Sequence, residues 1–177
     1  MVTNRRLGRA RAAVLAVTFL VFRAPVLMAQ AENAVGLPLG TVPDAVQLED
    51  LDGNAVDLSA YVGSRPVLIE FWATWCEICR ALEPKMVAAH QRFGDQVEFL
   101  VIAVGVNQNP RSIRRHLEGR PAPFRFLYDR RGGATRAYKA PTTAYVVMLD
   151  ADGRVAYTGV GADQDLEGAL ERLVGDT

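Results

Sequence analysis

The sequence predicts an α/β domain, a central mixed sheet flanked by helices on both faces, with an N-terminal β-hairpin. Three observations carry that prediction. Residues 67–72 (VLIEFW) and 97–106 (VEFLVIAVGV) are nearly continuous apolar runs, the pattern of strands covered on both faces. Between them Ile78, Leu82, Met86, Ala89 and Phe93 recur at the spacing of one side of a helix. Asp52-Gly53 and Asp152-Gly153 each separate two short apolar stretches, and such dipeptides supply the positive φ angles of a tight hairpin turn.

Residues 1–31 stand apart from that domain. Arg5, Arg6, Arg9 and Arg11 precede an apolar run over 12–22, and Ala29-Gln30-Ala31 offers small residues for cleavage, the layout of a secretory signal peptide. An uncleaved membrane anchor is the alternative, although a run that ends at Arg23 falls well short of the roughly 20 apolar residues of a spanning helix. Arg5-Arg6 also fits a twin-arginine signal, a pair that any basic leader produces by chance. Residues 32–43 (ENAVGLPLGTVP) read as a flexible lead-in and residues 44–177 as the folded domain.

Within the domain, 46–48 and 55–58 form the first hairpin around Asp52-Gly53. The strand 67–72 leads into the helix begun near Ile78. Pro84 falls inside that helix and should kink it, because proline removes one backbone donor and crowds the preceding turn. After the strand 97–106, Asn109-Pro110 opens a helix to about residue 117. A strand over 124–128 and a brief helix near 134–138 follow. The last third holds a second hairpin, 143–149 and 154–158, and a closing amphipathic helix on Leu166, Ala169, Leu170 and Leu173. Asp163 or Asp165 can cap it. The two hairpins and the alternating strands and helices between them call for a mixed sheet.

Charge narrows the partners. The whole chain balances 20 basic against 20 acidic residues, but residues 1–31 hold five arginines and no acid. Removal of that segment leaves a formal charge of −5, which argues against nucleic acid.

The two cysteines, Cys76 and Cys79, are the only ones in 177 residues, and they sit three apart in FWATWCEICR. Exported proteins use disulfides as staples. A bridge between these two would close a very small loop and add little stability by chain entropy. Chemistry explains the pair better. Between a buried strand and a helix, Cys76 falls at the first helical turn, where unpaired N–H groups and the positive dipole end favour a thiolate nucleophile. Cys79 lies nearly one turn on, more buried, and is placed to resolve a mixed disulfide. Zinc would need four ligands, and His90 and His116 are the only histidines.

The run VLIEFWATWCEICRALEPKM resembles the thioredoxin superfamily, and LEDLDGNAVDLSAYVGSRP resembles the lead-in of its exported TlpA/ResA-type branch. The resemblance covers about residues 41–175. It implies a thioredoxin-like fold with a central insertion near 107–128, and a thiol-disulfide oxidoreductase that works as a reductant outside the cytoplasm. Its redox-active disulfide, Cys76–Cys79, would be its only cofactor, with no metal. Partners would be protein thiols and disulfides, apocytochrome c among them during cytochrome c maturation in the periplasm, and a membrane thiol electron donor. The protein is expected to act as a monomer.

Carried onto this chain, the resemblance makes Trp75 the aromatic neighbour of the redox pair. Pro141, in KAPTT, becomes the proline that faces the disulfide after a cis bond, presenting the Ala140 backbone and Thr142 to an extended substrate. Glu70 matches the acidic position beneath the thioredoxin active site. Desolvation there should raise its pKa and let it relay a proton to or from Cys79. Glu77 gives the Cys-Glu-x-Cys variant, and its charge should disfavour the thiolate and make the pair more reducing. The basic cluster Arg111, Arg114, Arg115, His116 and Arg120 reads as a solvated face or as a docking surface. Trp72 is expected in the core and Trp75 at the rim. Two rival functions use the same pair: a thiol oxidase or isomerase, and a copper- or haem-binding module with soft sulfur ligands.

Overall fold

The computed structural model describes residues 35–120 and 122–175. Residues 1–31, where the sequence suggests an export signal, and residues 32–34 therefore lie outside the described residues. The element order is β1 (Gln47–Asp50), β2 (Ala55–Asp57), a 3-10 turn (Leu58–Tyr61), β3 (Val67–Trp72), α1 (Glu77–Phe93), β4 (Glu98–Val104), α2 (Pro110–Leu117), β5 (Arg125–Asp129), α3 (Gly133–Ala137), β6 (Tyr145–Leu149), β7 (Val155–Val160) and α4 (Leu166–Gly175). The seven strands form one sheet in the order β2-β1-β5-β4-β3-β6-β7. β3, β4 and β5 run parallel, and the hairpins extend the sheet antiparallel at its two edges. It is the mixed sheet with flanking helices that the sequence predicts.

β3 is central, pairing β4 on one side and β6 on the other, and all six of its residues are buried. This is why its sequence lacks the polar alternation of an edge strand. Alternation still assigns faces. Phe71 packs with Tyr138, just past α3, and with Tyr145 of β6, at centroid distances of 5.8 and 5.7 Å. Glu70 and Trp72 face the other way, toward α1 and α2. Trp72 meets His116 and Phe126 edge-on, at 5.4 and 5.5 Å.

The helices obey their local signals. Asn109 and Ser112 form a reciprocal capping box on α2, with Pro110 in its first turn. Asp165 accepts from the Gly168 amide and so is the aspartate that caps α4. The buried stripe of α1 is Cys79, Leu82, Met86, Ala89 and Phe93. Ile78, expected on that stripe, is 55% exposed. At about 100° per residue the inward phase falls on its neighbour Cys79, and the two cannot both face the sheet. Pro84 lies on the exposed side of α1, and the helix runs through it from Glu77 to Phe93.

The segment expected to be a flexible lead-in is docked where it is described. Leu37 is buried, its amide donates to the Tyr145 hydroxyl, and Gly40 and Thr41 exchange backbone hydrogen bonds with Val155. A buried leucine and three hydrogen bonds offset the chain entropy that its composition invites.

Candidate active site

β3 ends at Trp72, and the chain turns through Ala73, Thr74 and Trp75 to enter α1 at Cys76. The Cys76 amide donates back to the Ala73 carbonyl at 3.0 Å, closing that turn. Cys76 is the N-cap of α1, and its sulfur accepts from the Cys79 amide at 3.0 Å. The two cysteines are joined in a disulfide, with Cα atoms 5.3 Å apart. Cys76 is 6% exposed and Cys79 1%, so an attacking group approaches Cys76. A thiolate at Cys76 would sit where helix amides point outward and the dipole is positive. Glu77 is exposed in the first turn, next to that sulfur.

One wall of the site is an open groove of about 470 Å³, lined by Trp75, Val104 to Val106, Arg130 to Gly132, Thr135 and Ala140 to Thr143. Trp75 is 47% exposed, and its indole N–H donates to the Val106 carbonyl at 2.8 Å. Pro141 and Thr142 are exposed on the same groove. The tertiary fold thus brings Trp75, Ala140, Pro141 and Thr142 to one groove.

The cis expectation at Pro141 is corrected: no cis peptide bond occurs among the described residues. Trans is the lower-energy state of most X-Pro bonds. The loop reverses instead through left-handed backbone at Lys139 (φ 47°) and Ala144 (φ 55°). The Ala140 amide turns inward to the Thr135 carbonyl at 2.9 Å, so its carbonyl, not its amide, is what a substrate strand could meet. With Asn107 (φ 54°), these are the non-glycine residues of positive φ among the described residues, and each is adjacent in sequence to a residue that lines the groove. Backbone of this kind costs of order 1–3 kcal/mol each and collects at functional sites.

Beneath the disulfide lies Glu70. It is 3% exposed, and its Oε1 has no hydrogen-bond partner. Burial, and secondarily the nearby Glu83 carboxylate, push its pKa up to about 8. Glu70 and Cys79 line one narrow crevice together with Trp72, Glu83, His116 and Arg120. A carboxyl group of this kind exchanges protons near neutral pH, where thiols also titrate. Among the described residues no group of three or more His, Cys, Asp or Glu is placed to hold a metal ion.

Two contributors were not visible in the sequence. Gln108 is buried, and its Oε1 accepts from the Thr74 amide at 2.9 Å while its Nε2 donates to the Val104 carbonyl at 2.7 Å and the Trp72 carbonyl at 3.4 Å. It fastens the loop that presents Cys76 to the end of β4. A glutamine one residue before a helix cap carries no signal of such a role. His116, grouped by sequence with a solvated basic face, turns inward against Trp72. Arg114 of the same cluster bonds the Leu51 carbonyl and Asp52, which ties α2 to the first hairpin.

The comparisons agree with this geometry. The Redoxin family model matches residues 38–173. Thiol-disulfide oxidoreductase ResA of Geobacillus kaustophilus is 32% identical over 136 residues, 75% of this chain and 76% of that protein. ResA of Bacillus subtilis is 27% identical over 115 residues, 64% of this chain and 63% of that protein. Among solved structures, the thioredoxin domain of a thiol-disulfide oxidoreductase from Bacteroides vulgatus superposes with a TM-score of 0.67 at 21% identity, covering 78% of this chain and 99% of that one. A secreted Mycobacterium tuberculosis disulfide oxidoreductase, homologous to DsbE of E. coli, gives 0.62 at 23% identity, covering 72% and 96%. The last two show the fold alone. A matched family model over most of the chain, a relative of this similarity and a sulfur pair at the strand-to-helix junction together place the chain in the redoxin family, as a TlpA/ResA-like thiol-disulfide oxidoreductase of the thioredoxin superfamily.

Proposed function

We propose that this protein is an exported reductant of disulfides in partner proteins. Cys76 is the nucleophile: its thiolate attacks a partner disulfide, forms a mixed disulfide and releases one partner sulfur as a thiolate. Cys79 then attacks the Cys76 sulfur, the Cys76–partner bond breaks, and the second partner sulfur leaves. The partner ends reduced and the Cys76–Cys79 disulfide is restored, with no other cofactor. Glu70 takes the Cys79 proton during resolution, and Trp75, Ala140, Pro141 and Thr142 hold the partner segment along the groove.

The observation that carries this reading is the sulfur pair at the N-terminus of α1, its outer sulfur on Cys76, beside the buried Glu70 carboxyl whose Oε1 has no hydrogen-bond partner. Glu77 favours the reducing direction, since a carboxylate beside the sulfur disfavours the thiolate. Export is supported by the leader pattern of residues 1–31 and by the likeness to ResA. The reading extends to cytochrome c maturation, in which the paired thiols of apocytochrome c would be substrates and a membrane thiol protein the electron donor. It includes a monomeric enzyme that does not bind nucleic acid.

Cys79→Ala tests the order of events. The full-length variant should accumulate disulfide-linked partners through Cys76 in cell extracts, released by reductant. No captured partner, or equal capture by a Cys76→Ala variant, would overturn it. Direction is read from the reduction potential: a value near about −270 mV supports a reductant, and one near about −120 mV an oxidant.

A further inference from the structure

The neutral form of Glu70 cannot accept a proton. Before it serves Cys79 it must release its own, and on β3 it is buried to 3% exposure, with Oε1 shut off from solvent. The crevice it shares with Cys79 measures about 20 Å³, enough for one water molecule, which needs roughly 10–15 Å³ and two or more polar partners. Exposure grades along this crevice. Glu70 and Cys79 are buried at its inner end, Glu83 of α1 and His116 of α2 are half-buried, and Arg120 is exposed at the rim. The His116 ring is held edge-on against Trp72, one step along β3 on the same face as Glu70.

We propose that Glu83 and His116 form the outer half of a proton route between Glu70 and solvent, which makes the inserted helix α2 part of the active site. This rests on the exchange reaction proposed above. Neutral Glu70 passes its proton outward through the crevice to the Glu83 carboxylate or the His116 imidazole, and from there to solvent. The Glu70 carboxylate then takes the proton of the Cys79 thiol as that sulfur attacks Cys76. The Cys76–partner S–S bond breaks, its electron pair leaves on the partner sulfur, and that thiolate takes up a proton from solvent. One proton leaves for solvent and one returns.

His116 suits this position. Burial, then the charges of Arg120 and Arg80, hold its pKa below the usual histidine value, against an opposing pull from Glu83. The ring is therefore a neutral base at pH 7. Glu83 and Arg80 face it from α1, Arg120 from the segment after α2, and Glu70 from β3, while β4 and β5 offer Val101 and Phe126. The groove on the Trp75 side is left to the partner, so substrate and proton approach from different sides of the sulfur pair.

The test uses the reduced full-length protein, mixed rapidly with glutathione disulfide at concentrations where the rate has levelled off and resolution limits it. His116→Ala and Glu83→Gln, singly and together, are compared with Glu70→Gln from pH about 6 to about 9. Each outer variant should resolve on the order of tenfold more slowly at pH 7, less than the 10²–10⁴ of a group in contact with the reacting atom. Added imidazole should restore the His116→Ala rate, and Cys76 alkylation should stay at the wild-type rate in both. A wild-type rate and pH profile in the double variant overturns the route, as does a His116→Ala loss that imidazole does not repair. A slow Glu70→Gln beside unaffected outer variants overturns the route alone. Wild-type resolution in Glu70→Gln overturns the Glu70 relay itself.

Discussion

Replacing Glu70 with glutamine should flatten part of the pH dependence of stability, by an amount that follows from its burial. In the unfolded chain this carboxyl titrates near 4.5, and in the fold near 8. Below pH 4.5 both states carry the proton, and the group contributes no slope. Between the two values the folded protein retains a proton that the unfolded chain has lost, so stability falls as pH rises. Above about 8 the full penalty of burying the charge is present. At about 1.4 kcal/mol per pH unit, the interval from 4.5 to about 8 amounts to about 5 kcal/mol. That is a large part of the 5–15 kcal/mol typical of a domain. Urea unfolding of the oxidised wild type and oxidised Glu70→Gln, from pH about 5 to about 9, measures it directly, since no thiol titrates and all other groups are shared. Near pH 5 the two curves should differ little. Near pH 9 the variant should be the more stable by about 5 kcal/mol. A constant offset across the range would refute the reasoning, because it would mean that Glu70 ionises in the fold as readily as in the open chain.

Three further outcomes are expected. Gln108→Ala leaves the Thr74 amide without its partner, while the Val104 carbonyl keeps the Val106 amide, and at about 1–3 kcal/mol for one orphaned group it should destabilise by about 1–3 kcal/mol in urea unfolding and slow single-turnover exchange. Trp75→Ala should slow exchange with a protein disulfide about tenfold, as loss of an aromatic anchor does, while exchange with glutathione stays near wild type. Lys139→Gly should raise stability by about 0.5 kcal/mol in thermal unfolding, because the left-handed backbone at φ 47° costs a side-chain-bearing residue roughly 1 kcal/mol and glycine returns part of that as unfolded-state entropy.

The order of strands and helices was legible because each signal is local. VLIEFW reads as a doubly covered strand wherever it is placed, Asp52-Gly53 turns a hairpin by its own backbone preferences, and Asn109-Pro110 begins a helix with the groups it carries. The redox pair was legible for the same reason, since three residues at the start of a helix bring two sulfurs within bonding reach without help from the rest of the chain. Glu70 stood out as a charge in an apolar strand, although its missing partner did not. Where a segment's surroundings decided, sequence reasoning stopped short. Ile78 and Cys79 are adjacent, and only the angle at which α1 meets the sheet sends one outward and the other in. Leu37 is held by Tyr145, 108 positions away. The loop that carries Pro141 is pinned back to Thr135, and Gln108 and His116 have roles only because β4 and α2 end beside β3. By itself the sequence determined the elements and the reactive atoms, through interactions that span a few residues. The tertiary structure alone decided what surrounds those atoms, because burial and proton access are properties of chain segments brought together from far apart.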